Sequence, residues 1–211
     1  MVALRDAVVL VGGFPLLSGV NLELSSRSLN VVTGANGAGK TSLLRLLGGL
    51  VTLTSGTGVV SGVDLRGDLR ELRRRVGWLG HEGSFYDDLS ASENLVFAAK
   101  ALARPTADVP SALERVGLSA RTSTPARQLS AGQRRRLGLA WLLLRRPELW
   151  LLDEPYASLD DDGRTFFDQL IGDVVAGGAT VVVSAHDPLR SSALAPRTIT
   201  LAGGLVVSDR S

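Results

Sequence analysis

The eight residues Gly34-Ala35-Asn36-Gly37-Ala38-Gly39-Lys40-Thr41 constrain this chain more than any other stretch. They join a strand-like apolar segment, Ser28 to Thr33, to a run with leucines at helical spacing, Ser42 to Leu50. Glycines, lysine and threonine fall at the fixed positions of the phosphate-binding P-loop pattern. Glycines let the backbone wrap until several N–H groups point inward at anionic oxygens. The helix that follows sets its positive end beneath the same oxygens. Lys40 then reaches the β- and γ-phosphates of a nucleotide, and the Thr41 hydroxyl can ligate Mg²⁺. The bland alternative is a glycine-rich turn with a stray lysine. It loses weight because Lys40 and Lys100 are the only lysines in the chain, and because the loop sits between a strand and a helix. The candidate nucleotide-binding set is therefore Gly34, Ala35, Asn36, Gly37, Ala38, Gly39, Lys40, Thr41 and Ser42.

Composition narrows the rest. The chain has 211 residues, enough for one domain carrying an inserted lobe. At 45% hydrophobic and 21% charged it is ordinary globular material, which excludes a disordered chain. The absence of cysteine excludes a disulfide framework, a cysteine nucleophile and thiolate metal sites. Two histidines, His81 and His186, argue against a polyhistidine metal centre. The longest apolar run, Leu137 to Leu144, stops at Arg145-Arg146, short of a membrane span. A net charge of +2 gives no case for nucleic acid. Met1 to Asp6 has no basic stretch leading into an apolar core, so the expectation is a soluble intracellular protein without a signal peptide.

Short strands are expected at Val8–Val11 and Val20–Leu24, with Gly12-Gly13 and Pro15 between them, and a hairpin edge at Val59-Val60-Ser61-Gly62. Arg70 to Arg75 reads as an exposed charged helix entering the strand Val76–Leu79. From about Ser84 the pattern turns helical, at Ser92–Leu102 and Ser111–Val116, and no strand-like run returns before Leu149. Strands at Trp150–Leu152 and Thr180–Val183 flank a helix from Arg164 to Val175. Strand, helix, strand at this spacing predicts a parallel α/β sheet. The expected division is a core of residues 1–83 and 148–211 and a helical insertion of residues 84–147.

Leu149-Trp150-Leu151-Leu152-Asp153-Glu154 is an apolar strand ending in two carboxylates. It places Asp153 at the sheet's carboxyl edge, beside the P-loop, where it can hold Mg²⁺ directly or through water. Glu154 points to the opposite side and can face an attacking water as general base. The second apolar strand delivers Ser184-Ala185-His186 to the same edge, which brings His186 within reach of a γ-phosphate.

Leu129-Ser130-Ala131-Gly132-Gln133 resembles the LSGGQ signature of ATP-binding cassette (ABC) ATPases, with Ala for one Gly. Ser158-Leu159-Asp160 resembles the family's D-loop and His186 its switch histidine. These follow the P-loop in the family's order across essentially the whole chain. The resemblance implies an α/β P-loop NTPase of the ABC class. Its parts are a RecA-like parallel core, an N-terminal antiparallel β subdomain and an inserted helical subdomain. It implies ATP as substrate with Mg²⁺, Lys40, Glu154 and His186 as catalytic residues, and Thr41 and Asp153 at the metal. It further implies that Ser130, Ala131, Gly132 and Gln133 of one copy close over ATP held by another, with Asp160 in the D-loop. ATP would thus hold a head-to-tail homodimer. The remaining partners would be integral membrane permease subunits at the cytoplasmic face of the membrane, with no nucleic acid involved.

Several positions depart from the family pattern. His81 stands where a glutamine is usual; a neutral histidine can still bind water or Mg²⁺, which would make the site pH-sensitive. The adenine-stacking aromatic aligns with Val11, leaving either Phe14 as its substitute or weak stacking. Trp141 replaces an arginine usual in the signature helix. Short length, the Leu-Ser-Ala-Gly-Gln form, Gly80-His81 and His186-Asp187-Pro188-Leu189 resemble the ATPase subunits of cytochrome c maturation haem exporters. Other small exporters share much of this, and a soluble DNA-repair or translation cassette is the reading from another class. Three arginine clusters, at Arg73–Arg75, Arg134–Arg136 and Arg145-Arg146, are expected to be solvated faces or local ion-pair donors.

Overall fold

The computed structural model describes residues 1–80, 85–157, 159–185 and 196–210. The chain divides into two compact units, Met1–Trp78 with Glu148–Ser211, and Leu79–Pro147.

In the first unit, Val2–Val11 (β1) and Phe14–Leu24 (β2) form a long antiparallel hairpin, joined by Ser55–Val60 (β4) and Val63–Asp64 (β5) in the order β2-β1-β4-β5. The hairpin strands run well past the expected four and five residues. Val2, Leu4, Ala7 and Val9 alternate with exposed residues, so the pattern of a half-buried strand continues to the chain start. A register shift between Leu4 and Ala7 accommodates Arg5 and Asp6.

Among the described residues the second sheet has six strands, ordered β10-β9-β3-β8-β7-β6. Leu29–Thr33 (β3), Leu149–Asp153 (β7) and Thr180–Ser184 (β8) are buried at every residue and pair in parallel, as β3 with β8 and β8 with β7. Continuous apolar sequence fits a sheet covered on both faces. Lys40–Leu47 (α1) follows β3 and stops at Gly48-Gly49, before the expected Leu50. Arg70–Arg75 (α2) leads into Val76–Leu79 (β6). Asp161–Ala176 (α6) begins three residues before the expected Arg164, because Asp160 caps it.

Two strands follow that the apolar pattern did not announce, Arg197–Ala202 (β9) and Leu205–Arg210 (β10). β9 pairs in parallel with β3, so the strand feeding the P-loop lies between two strands from far along the chain. The Gly203-Gly204 turn between two alternating runs was the available signal.

In the second unit, Ala91–Ala101 (α3), Val109–Arg115 (α4) and Ala131–Arg145 (α5) pack together around Leu95, Leu113, Leu118 and Leu137. Among the described residues, no helix is long and apolar enough to cross a membrane.

Candidate functional site: a nucleotide-binding loop and its carboxylates

The loop between β3 and α1 is shaped by close backbone neighbours. Gly34 has φ +142°, and a Cβ there would lie 2.3 Å from the Leu201 carbonyl oxygen in β9. A Cβ on Gly39 would lie 2.9 Å from the Leu16 carbonyl oxygen in β2. Only glycine permits both approaches. The turn between β9 and β10 is strapped into the same place. Gly204 N–H donates to the Ala38 carbonyl at 3.1 Å, and Ser18 N–H donates to the Gly204 carbonyl at 2.9 Å.

Ala35, Asn36 and Gly37 form the loop's exposed outer part, while Ala38 is buried and Ser42 half-buried. Lys40 is only 5% exposed, and its ammonium donates to the Gly34 carbonyl at 2.8 Å and the Ala35 carbonyl at 3.2 Å. The lysine thus braces the loop from inside. The first turn of α1 carries no acidic residue, so the positive end of the helix keeps its attraction for an anion.

β7 ends at Asp153, 2% exposed, directly beside α1. The Thr41 hydroxyl lies 2.9 and 3.1 Å from the two Asp153 carboxylate oxygens. The Ser184 hydroxyl donates to Asp153 Oδ1 at 2.6 Å and accepts the Glu154 N–H at 2.8 Å. Asp153 and Ser184 are direct register partners on neighbouring parallel strands. Ser184 belongs to no motif in the sequence; what marks it is its place at the end of a buried strand next to the carboxylate strand. The half-buried Glu154 follows with φ +48°.

Thr41 and Asp153 together present only oxygen donors, a hydroxyl and a carboxylate within hydrogen-bond reach of each other. That donor set fits Mg²⁺, which typically takes one or two protein oxygens and completes its shell with phosphates and water. Among the described residues, no group of three or more His, Asp or Glu forms a self-sufficient metal cage. His81 and His186 lie outside the described residues, as does Ser158 of the expected D-loop.

Val11 and Phe14 face each other at the end of the β1–β2 hairpin, 52% and 75% exposed. Leu16, whose carbonyl meets Gly39, is two residues further along the strand from Phe14.

In the second unit Ser130 caps α5 in a reciprocal box. Its hydroxyl accepts the Gln133 N–H at 3.2 Å, and Gln133 Oε1 accepts the Ser130 N–H at 3.0 Å. Ala131 and Gly132 supply the first two N–H groups of the helix. The arginine clusters are engaged locally. Arg134 pairs with Asp87 at 2.8 Å, Arg136 donates to the Val116 carbonyl, and Arg146 pairs with Asp108 at 3.1 Å. In the first unit Arg75 pairs with Glu71 and Arg73 donates to the Gly49 carbonyl. Arg145 packs its guanidinium over the Trp141 ring at 5.2 Å, and burial lowers its pKa.

Asp160 Oδ1 accepts the Gly163 N–H at 2.8 Å at the start of α6. Just before it, the Tyr156 hydroxyl donates to Asp168 at 2.6 Å and its ring stacks edge-on to Phe167. Burial, then the hydrogen bond that its hydroxyl donates to the Asp168 carboxylate, hold the Tyr156 phenol far above the ordinary tyrosine range.

A family model described as ABC transporter matches residues 17–157. The chain belongs to the ABC transporter family. This ABC ATPase is 40% identical to a cytochrome c biogenesis ATP-binding export protein CcmA of Rhodopseudomonas palustris (strain BisB5), over 84% of this chain and 88% of that protein. It is 42% identical to a second such protein, CcmA 2 of Cupriavidus metallidurans, over 88% and 89% of the respective chains. A solved structure of an ATP-binding cassette, in a dimeric post-hydrolysis state bound to ADP and phosphate, superposes with TM-score 0.89 at 25% identity, covering all of this chain and 98% of the other. The fold is thus that of the ABC ATPases, and the activity that goes with membership is ATP binding and hydrolysis.

Proposed function

We propose that this ABC ATPase powers an export complex of cytochrome c biogenesis, moving haem or releasing a haem-carrying partner through membrane permease subunits at the cytoplasmic face. The names of its relatives at about 40% identity support that assignment. The observation that carries the chemistry is the contact between Thr41 and Asp153, which joins the lysine loop to the carboxylate strand.

In this reading, the loop amides and Lys40 hold the β- and γ-phosphates. Thr41 and Asp153 hold Mg²⁺, which supplies charge neutralisation on the phosphate oxygens. Glu154 accepts the proton of the attacking water, and His186 orients the γ-phosphate. His81 takes the water- or metal-contacting place of the usual glutamine. Val11 and Phe14 supply an apolar wall for the adenine. Ser130, Ala131, Gly132 and Gln133 of a second copy cap the nucleotide with their helix end, and Asp160 lies at the dimer seam. The exposed aromatic pair Tyr86 and Phe97, with ring centroids 5.1 Å apart, offers the permease an anchor on the helical unit.

The decisive test is Glu154→Gln. The variant binds ATP, loses turnover by about 100-fold or more as expected for a general base, and elutes as an ATP-dependent dimer on gel filtration. Hydrolysis at the wild-type rate would remove Glu154 as the base. Copurification with multi-span membrane proteins supports the export role. Turnover stimulated by nucleic acid without membrane partners would instead favour a soluble cassette.

A further inference from the structure

The Ser184 hydroxyl is fully buried at the carboxyl end of β8 and takes no direct part in the chemistry above. A serine hydroxyl has one hydrogen to give and lone pairs to receive with. Its hydrogen is committed to Asp153 Oδ1 at 2.6 Å, a short bond strengthened by the carboxylate charge. That commitment turns a lone pair towards the Glu154 N–H, 2.8 Å away. Thr41 holds the same carboxylate from the other side. Four residues from three elements and one turn thereby share a continuous run of hydrogen bonds, from the P-loop helix to the backbone of the glutamate.

The last link sits where the backbone needs help. Glu154 has φ +48°, a left-handed conformation that a residue with a Cβ adopts only against a steric cost. An acceptor fixed to its N–H from a neighbouring strand is one means of holding it there. The backbone angle sets the direction of the Cα–Cβ bond, so a hold on the N–H also fixes the point from which the glutamate side chain sets out. We propose that Ser184 is a positioning residue for Glu154: it fixes the left-handed turn after β7 and thereby aims the glutamate carboxylate at the water it activates.

This inference rests on the reading of Glu154 as the base and goes beyond it by assigning what places that base. It separates binding from turnover. Lys40, the loop amides and the Thr41–Asp153 contact all survive loss of the Ser184 hydroxyl, so the grip on ATP stays. The glutamate, released from its turn, loses part of the rate advantage that a well-placed base provides.

The experiment compares wild type, Ser184→Ala, Ser184→Thr, Glu154→Gln and the double variant Ser184→Ala/Glu154→Gln. Steady-state and single-turnover ATPase rates are read alongside ATP affinity by equilibrium dialysis. Ser184→Ala lowers kcat by about tenfold or more while the Kd for ATP stays within about twofold, and Ser184→Thr restores most of the rate. In the Glu154→Gln background, adding Ser184→Ala changes the residual rate by less than about twofold, because the group being positioned is already gone. The proposal is overturned if Ser184→Ala turns over like wild type, if it loses ATP affinity in step with kcat, or if the same factor is lost again in the Glu154→Gln background. Were Glu154→Gln itself as fast as wild type, the assignment of the base would fail first, and the two failures are told apart by that one variant.

Discussion

Gly34→Ala and Gly37→Ala add the same methyl group to the same loop in different surroundings. At Gly37, φ is +78° and nothing lies within 4 Å of the added carbon, so the cost is that of a left-handed backbone, about 1–2 kcal/mol. At Gly34, φ of +142° is hostile to any side chain, at about 1–3 kcal/mol. There the methyl would also meet the Leu201 carbonyl oxygen at 2.3 Å and Ala38 Cβ at 3.1 Å. The carbonyl belongs to β9, paired on both sides, and cannot swing away without disturbing β3; such overpacking adds about 1–3 kcal/mol. For a chain of this size each kcal/mol moves Tm by about 2–4 °C. Gly37→Ala should therefore melt about 4.5 °C below wild type and Gly34→Ala about 12 °C below, at the centres of these ranges. Thermal melts followed by circular dichroism measure both. Equal melting temperatures, or a lower one for Gly37→Ala, would refute the claim that the close approach of β9, rather than loop handedness alone, demands glycine at position 34.

Tyr156→Phe removes the proton donor to Asp168 and should lower stability by about 1–2 kcal/mol at neutral pH in denaturant titrations. Because the folded phenol keeps its proton above the ordinary tyrosine pKa while the unfolded one releases it, wild-type stability is full below that value and falls as pH rises beyond it. The phenylalanine variant lacks this alkaline decline, and parallel decline in both proteins would contradict the assignment. Asn94→Leu deprives the Tyr86 N–H and the carbonyls of Tyr86, Leu89 and Ser90 of their shared side-chain partner. Cleavage by chymotrypsin at Tyr86 should accelerate, with stability down by about 1–3 kcal/mol; an unchanged cleavage rate would show that the segment is held by other means.

The parts of this protein that were legible in its sequence are those whose chemistry is local. Gly37 needs its glycine for its own left-handed backbone, and an apolar strand ending in Asp153 and Glu154, in a chain that also carries a P-loop, reads as a buried strand presenting carboxylates at its end. Asp153 therefore fell beside Thr41 as the parallel arrangement requires. What was not legible depends on partners distant in sequence. β10 is a half-exposed edge with no strong apolar signature, and it is held by β9, which in turn joins the sheet by pairing with β3. Ser184 looks like any polar residue at a strand end until the register sets it against Asp153. Asn94 sits inside an unremarkable helical pattern, and its importance lies in four hydrogen bonds to the segment before that helix.

The placement of β3 between β8 and β9 carries a consequence for how this molecule is made. A ribosome issues the phosphate loop early, yet the strands that flank it, and the Gly204 strap on Ala38, emerge more than 140 residues later. Such wide loop closure is entropically slow. Until those strands are made the nascent loop lacks its walls, so competence to take up nucleotide should appear abruptly once β8, β9 and the Gly204 turn have emerged rather than grow with chain length.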